Sequence, residues 1–409
     1  MKKTNHVFLI LMLGSLTALG PFTIDMYLSA FPQMAHFFQT SVAQVSMTLS
    51  SYFVGLASGQ LIYGVLMDRF GRKKPLYAGL IFYIIASIAC ALSPNIEILI
   101  FFRFLQGLGA CAASVAAFAM VRDLFTPQES TKVLSLLILI LGVSPLLAPT
   151  IGGFLAVHFS WSVIFFVLTG IAFTILLVIS RFLPETHHGD KSHVLKPMPI
   201  IRNYLSIIKE PQFYAFALSG ATAFAGLFAY LASSPTIFME IFKVSEAAYG
   251  WIFAIIAMGI VGMSQFNVPL VKRFSSEKIL IGAFLSLLTV SLVFCFCAYH
   301  GYYNLYSVIF TLFLFLACIG LSNPNSAALA MAPFGKKAGS AAALMGFLQM
   351  VLGALASLGV SLLKAQTLLP ISILFVVLST LALIILSLGM RQIKNKVEVS
   401  GDEDMGLAH

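Results

Sequence analysis

The sequence predicts an all-α membrane protein of twelve spanning helices arranged as two six-helix halves. Three observations carry that expectation. Charged residues make up 10% and hydrophobic residues 59% of the 409 residues, and the mean hydropathy is +0.97, whereas soluble domains are about 25% charged. A water-soluble globule of this length has too little polar surface to cover such a core. Apolar runs long enough to cross about 30 Å of hydrocarbon recur along the chain, and basic residues gather in the turns between alternate runs.

The predicted spans cover 7–30, 43–66, 76–93, 97–121, 132–156, 161–183, 212–235, 248–268, 279–299, 303–331, 338–363 and 370–390. Lys2 and Lys3 precede the first run, but Val7 to Ala30 is long for a signal peptide and lacks a small-x-small cleavage site, so it reads as an uncleaved helix. With both termini placed in the cytoplasm, Lys243 and Lys364 fall outside and Arg103 lies within a span. That leaves 21 of the 24 basic residues in cytoplasmic segments. The inverted topology violates the positive-inside rule throughout.

The domain reading follows: an N-terminal half (1–183), a cytoplasmic linker (184–211) with four prolines, a C-terminal half (212–390) and a cytoplasmic tail (391–409). The linker's His187, His188 and His193 read as incidental solvated residues, and no metal site is expected. A trace of duplication supports the halves. Leu66, Arg69, Phe70, Lys74 and Leu76, after the second span, recur as Leu270, Arg273, Phe274, Lys278 and Leu280 after the eighth, 204 residues on.

Several classes are excluded. The net charge of +9 sits in short turns and reports topology, not nucleic-acid binding. Cys90, Cys111, Cys295, Cys297 and Cys318 all lie in apolar segments without zinc or redox spacing and read as packing residues. No phosphate-binding loop and no catalytic constellation is present, so neither ATP-driven transport nor an enzyme is expected, and no cofactor is implied.

Asp25 is the one carboxylate well inside an apolar run, and Arg103 the one basic residue at depth. Burying either ion costs about 3 kcal/mol on insertion scales, so a functional role is the default. Counted from the outer ends of their spans, both lie roughly 8–9 Å below the boundary at 1.5 Å per residue, and the expectation is that they share one cavity. A static salt bridge is the bland alternative. Desolvation favours the neutral acid and a nearby guanidinium favours the anion, so such a pair suits proton coupling. Tyr27, Tyr52, Gln106, Phe224, Phe228, Tyr230, Trp251, Asn323 and Gln349 have the aromatic and amide character of a midplane substrate cavity.

Three motifs then carry a family resemblance. The turn after the second span reads Gly64-x-x-x-Asp68-Arg69-x-Gly71-Arg72-Lys73, the fourth span holds Arg103-x-x-Gln106-Gly107-x-Gly109, and the fifth holds Ala148-Pro149-x-x-Gly152-Gly153. These resemble motifs A, B and C of the major facilitator superfamily, the last marking its drug:proton antiporters, with Ala148 where a glycine is usual. Asp25-Met-Tyr-Leu, Gly59-Gln60-Leu61, Ser234-Pro235, Asn323-Pro324-Asn325 and Ala338-Gly339-Ser340-Ala341 resemble the Bcr/CflA drug-resistance branch, with Ser29 where a proline is common. The likeness runs over nearly the whole chain. It implies the major facilitator fold, a bacterial inner-membrane location, and proton-coupled export of small, largely apolar drugs of the bicyclomycin or chloramphenicol type. It also implies a conformational latch at Gly64, Asp68, Arg69, Gly71 and Arg72, with Gly339 and Ser340 as further candidates. Pro149, Gly152 and Gly153 take the antiporter packing role. Expected partners are a small-molecule substrate, the proton and membrane lipid, with a monomer as the working unit. A proton-coupled carrier of a physiological solute, such as a metabolite or siderophore, is the alternative. One proton crossing about 100 mV with a one-unit pH gradient supplies roughly 3.7 kcal/mol, enough for a gradient of several hundredfold.

Overall fold

The computed structural model describes residues 6–187, 189, 197–335, 338–363, 365–394 and 397. Among them, twelve helical stretches are long and apolar enough to cross a membrane. The first, His6–Phe37, is composite: α1 (His6–Asp25), a 3-10 turn (Leu28–Ala30) and α2 (Phe31–Phe37). Then come α3 (Val42–Phe70), α4 (Lys73–Ala91), α5 (Ile96–Leu124), α6 (Pro127–His158) and α7 (Trp161–Phe182). A shorter helix, α8 (Pro197–Ile208), precedes α9 (Pro211–Pro235), which continues through a π turn (Thr236–Ile241). The chain ends with α10 (Glu246–Leu270), α11 (Ser276–His300), α12 (Leu305–Met331), α13 (Ala338–Leu363) and α14 (Leu368–Met390).

Most predicted spans agree with these helices to within a few residues, but two run longer. The first was expected to stop at residue 30. Pro32 occupies the first turn of α2, where its missing N–H is no loss, so the helix resumes instead of ending. The seventh was expected to stop at 235. Pro235 withdraws a backbone donor and the chain widens into the π turn without leaving the span. The stretch read as a linker contains α8, a helix not predicted from the sequence. Ile207 is buried, while Met198, Ile201, Leu205 and Ile208 point outward, and the Asn203 side chain donates to Ser340 Oγ on α13 at 3.0 Å.

The chain divides into two compact units, Met1–Leu195 with Val244–Ala254, and Lys196–Lys243 with Ile255–His409. The division departs from the predicted boundaries at two points. Helix α8 belongs with the second unit, and the start of α10 with the first. In the first unit a Cβ on Gly153 would lie 2.9 Å from Glu246 O, and one on Gly250 would lie 3.0 Å from Thr150 Cα. Helices α6 and α10 approach backbone to backbone there, as small residues permit in a membrane.

The two units repeat one packing scheme. In the first, α4 packs on α5 and α7, and α1 packs on α5, α6 and α7. In the second, α11 packs on α12 and α14, and α9 packs on α12, α13 and α14. Each of these five pairs in one unit has its counterpart six spans on in the other. The duplication glimpsed in one turn therefore extends to the helix packing.

Candidate functional site

Arg103 is the centre of a polar cluster in the first unit. Its side chain is fully buried (0% exposed). The guanidinium carbon lies 4.1 Å from the Tyr27 ring centre, 4.3 Å from that of Tyr52 and 5.8 Å from that of Phe165. A desolvated cation–ring pair is worth about 2 kcal/mol, so the rings offset much of the cost of burying the charge. Arg103 Nη1 donates to Gln106 Oε1 at 2.6 Å and makes a long contact of 3.5 Å with Thr23 O. Nε and Nη2 have no hydrogen-bond partner among the described residues. Gln106 and Arg103 stand three residues apart on one face of α5. Gln106 Nε2 donates onward to Ser87 Oγ at 2.7 Å, and Ser87 donates to Tyr83 O at 2.8 Å. Thr23 and Tyr83 hydroxyls pair at 2.7 Å, and Tyr27 and Thr48 hydroxyls at 3.2 Å.

Close backbone contact assembles this cluster. A side chain at Gly107 would overlap Tyr52 O, so the glycine of the second motif lets α3 bring Tyr52 onto the guanidinium. A side chain at Gly152 would overlap Met26 O, so α6 packs directly on the chain where α1 ends. Pro149 lies one turn earlier in α6, which also contains Pro145.

Asp25 is the last residue of α1 and is 4% exposed. It forms no ion pair with Arg103 and no hydrogen bond with any described residue. The static salt bridge considered for this pair is thus not the arrangement adopted. The Thr23 carbonyl, two residues before Asp25, and the Tyr27 ring, just past the end of α1, face Arg103 in place of the carboxylate. Because the span continues to Phe37, Asp25 is also farther from its end than the sequence suggested.

The first motif forms a second cluster at the turn between α3 and α4. Arg72 Nη1 meets Asp68 Oδ1 at 2.6 Å, and its Nε meets Asp123 Oδ2 on α5 at 2.9 Å. Burial works against the Arg72 charge, but the hydrogen bonds and charges of Asp123 and Asp68 outweigh it and hold the guanidinium above its usual pKa. Glu185 accepts from Arg72 N at 2.8 Å and Lys73 N at 3.1 Å, capping the start of α4, and Thr186 Oγ1 donates to Asp123 Oδ2 at 2.9 Å. Gly71 ends α3 with φ +87°, a conformation that favours glycine. Gly64 has no neighbour within 4 Å of a would-be Cβ, so close packing does not explain it. The Arg69 guanidinium lies 5.6 Å from the Phe70 ring. His187 contacts Asp68 O at 3.3 Å, while His188 and His193 lie outside the described residues.

The remaining candidates sit mostly in the second unit. Gln349 Nε2 donates to Asn323 Oδ1 at 3.0 Å, joining α13 to α12. Phe224 and Phe228 pack edge to face at 5.5 Å, Phe228 lies against Gly353, and Tyr230 is fully buried. Trp251, in the part of α10 that belongs to the first unit, is 66% exposed and is not enclosed by its neighbours.

Sequence reasoning missed Ser264, Asn267 and Glu185. Ser264 Oγ donates to Gly320 O at 2.9 Å, the carbonyl that Pro324 leaves without its helical donor. Asn325 Nδ2 donates to Asn267 Oδ1 and to Leu321 O, each at 2.7 Å. The signal for Ser264 was the proline four residues beyond the carbonyl it serves. Glu185 had no local signal for its capping role, since the α4 amides it caps lie more than a hundred residues away.

Twelve spans among the described residues, two repeated units and buried polar clusters inside apolar helices define a multi-pass membrane protein. Residues 13–358 match the Major Facilitator Superfamily, and the chain belongs to that family. It is 35% identical to the uncharacterized MFS-type transporter YdgK of Bacillus subtilis (strain 168), over 86% of this chain and 88% of the relative. It is 29% identical to the bicyclomycin resistance protein homolog of Haemophilus influenzae, over 90% and 92%. Similarity of 29% over 82% and 84% extends to the multidrug resistance protein MdtL of Citrobacter koseri. These names accord with the drug:proton antiporter branch. Among solved structures, a bacterial homolog of the human lysosomal transporter Spinster superposes with a TM-score of 0.74 at 13% identity, covering 96% of this chain and 98% of that one. A D-xylose-proton symporter gives 0.73 at 14%, covering 92% and 97%. At such identities these two speak to the fold alone.

Proposed function

We propose that this protein is a proton-coupled antiporter of the Bcr/CflA branch. In this reading it exports small, largely apolar drugs across a bacterial inner membrane by alternating access, with both termini in the cytoplasm. Asp25 carries the exchanged proton. Arg103 sets the affinity of that site through Tyr27 and through the chain that leaves α1, and the candidate amides and rings contact the substrate. The observation that carries the proposal is the unpaired, buried Asp25 at the point where α1 breaks, beside the Met26 carbonyl on which Gly152 packs. A carboxylate with no resident partner is free to exchange a proton when its surroundings change, and substrate binding that favours one state of the carrier thereby couples to that exchange.

The test is substrate-induced proton release from purified protein, with Asp25→Asn as the comparison. The variant should fold, reach the membrane and lose both proton release and uphill export while retaining downhill exchange. Equal release from both proteins places the proton elsewhere. In liposomes, outward substrate movement driven by an inward proton gradient supports export, and movement in the same direction as the proton supports the solute carrier.

A further inference from the structure

A groove on the second unit is formed by α10, α11 and α12, with a volume of about 600 Å³. Its walls are almost wholly apolar. Small residues, Gly262, Gly282 and Ser286 among them, keep it open, and would-be Cβ atoms on Gly262 and Gly282 meet nothing within 4 Å. Met258 and Phe274 on its rim are exposed. A groove of this kind on a spanning helix faces lipid chains. One feature sets its chemistry apart: Lys278 lines the end that also carries Leu270 and Phe274. Lys272 and Arg273 lie exposed in the same turn. The side chains of Lys272, Arg273 and Lys278 form no hydrogen bond, ion pair or ring contact with described residues.

The duplicated turn explains why these cations are unpaired. Position by position, Lys272 stands where the first turn has Asp68, and Ser276 where it has Arg72. The second turn has thus lost the carboxylate that neutralises the first and gained a cation in its place. Glu277 is its one acidic residue, and it occupies the position of Lys73. The result is an apolar groove ending at Lys278, with Lys272 and Arg273 exposed in the adjoining turn at the level of a span's end, where lipid phosphates lie.

We infer that the α10–α11–α12 groove binds an anionic phospholipid, with an acyl chain along Gly262 and Gly282 and the phosphate at Lys278, Lys272 and Arg273. A second groove supplies an internal control. Between α1 and α7, a cleft of about 490 Å³ includes Ser15, Gly170 and Thr174 but no charged residue. It offers a chain the same kind of wall and offers a phosphate nothing.

The experiment is native mass spectrometry of the full-length protein titrated with phosphatidylglycerol, phosphatidylcholine or inorganic phosphate. Phosphatidylglycerol should be retained more strongly than phosphatidylcholine. Lys278→Gln should weaken it about fivefold, the equivalent of about 1 kcal/mol for one basic residue near an anionic headgroup, and leave phosphatidylcholine unchanged. Gly282→Leu fills the groove into open space and should also release phosphatidylglycerol, whereas Gly170→Leu in the α1–α7 cleft should not. Should Gly282→Leu melt early, the surface variant Lys278→Gln decides alone. Equal retention of the two lipids, no loss in Lys278→Gln, or equal loss in Gly170→Leu and Gly282→Leu overturns the proposal. Displacement of phosphatidylglycerol by equimolar inorganic phosphate does so too, because it points to a free-anion site.

Discussion

The turns after α3 and α10 descend from one pattern, yet they handle charge in opposite ways. In the first, Arg72 is held by Asp68 and Asp123, and Glu185, just past the end of α7, caps α4. In the second, Lys272, Arg273 and Lys278 stand free of any described partner. One turn is wired into its own unit and the other is available to something outside the chain. The exchange of Asp68 for Lys272 at the matched position is enough to separate the two outcomes, because a cation at a helix C-terminus is already favoured by the dipole and needs no second partner. A carboxylate in that place does.

The comparison breaks most completely if the two turns lie on opposite sides of the membrane. In a background without native cysteines, single cysteines at His36 and His300 should react with an impermeant thiol reagent from outside spheroplasts, while those at Lys74 and Ser275 should not. Reaction at only one of the two turns ends the idea that they are equivalent.

The next effect is on transport. Arg72→Ala removes both ion pairs and should slow turnover in liposomes by about tenfold or more, since charge-assisted bonds of this sort are worth about 1.5–3 kcal/mol each. Asp68→Asn should slow alternation while leaving folding and substrate affinity in place. Lys278→Gln should change turnover by less than about twofold. Similar loss in Arg72→Ala and Lys278→Gln would mean that both turns serve as latches.

Smaller still is the cap on α4. Glu185→Gln keeps the shape but weakens acceptance from two backbone N–H groups, and it should cost about 1 kcal/mol, read as a lowered melting temperature of the purified protein. No shift would remove Glu185 from the wired turn.

The turn between α5 and α6 gives the smallest effect. There the backbone N–H and hydroxyl of Thr126 hold the exposed Glu129 carboxyl below its usual pKa. A depressed folded value means the contribution is present above the unfolded value and fades as pH falls through the folded one. The protection of the Thr126 amide, taken relative to its intrinsic exchange rate at each pH, should therefore fall only on acidification, and protection that does not change with pH would discount the capping box.

Much of the scaffold was legible because a membrane imposes a local rule: about twenty apolar residues per crossing, whatever they later touch. The span predicted at 338–363 coincides with α13, Ala338–Leu363. The rule ended two spans short, at residues 30 and 235, where Pro32 and Pro235 lie at positions the continuing helix tolerates. The site was legible in part. Arg103 and Asp25 stood out by burial cost alone, but Tyr27 and Tyr52, read as substrate contacts, prove to be stacked on Arg103. That relation joins α1, α3 and α5 and leaves no mark in any one segment.

By itself the sequence determined the number of crossings, the two halves and the residues whose burial demands a reason, since hydropathy and charge are properties of short stretches. Only the tertiary structure decided that Arg103 faces rings and leaves Asp25 unpaired, that Glu185 caps a helix more than a hundred residues away, and that one of two matching turns keeps its cations free. Those outcomes depend on which helices approach closely enough for backbones to touch, at Gly107 and Gly152 above all, and that is fixed by packing among distant segments.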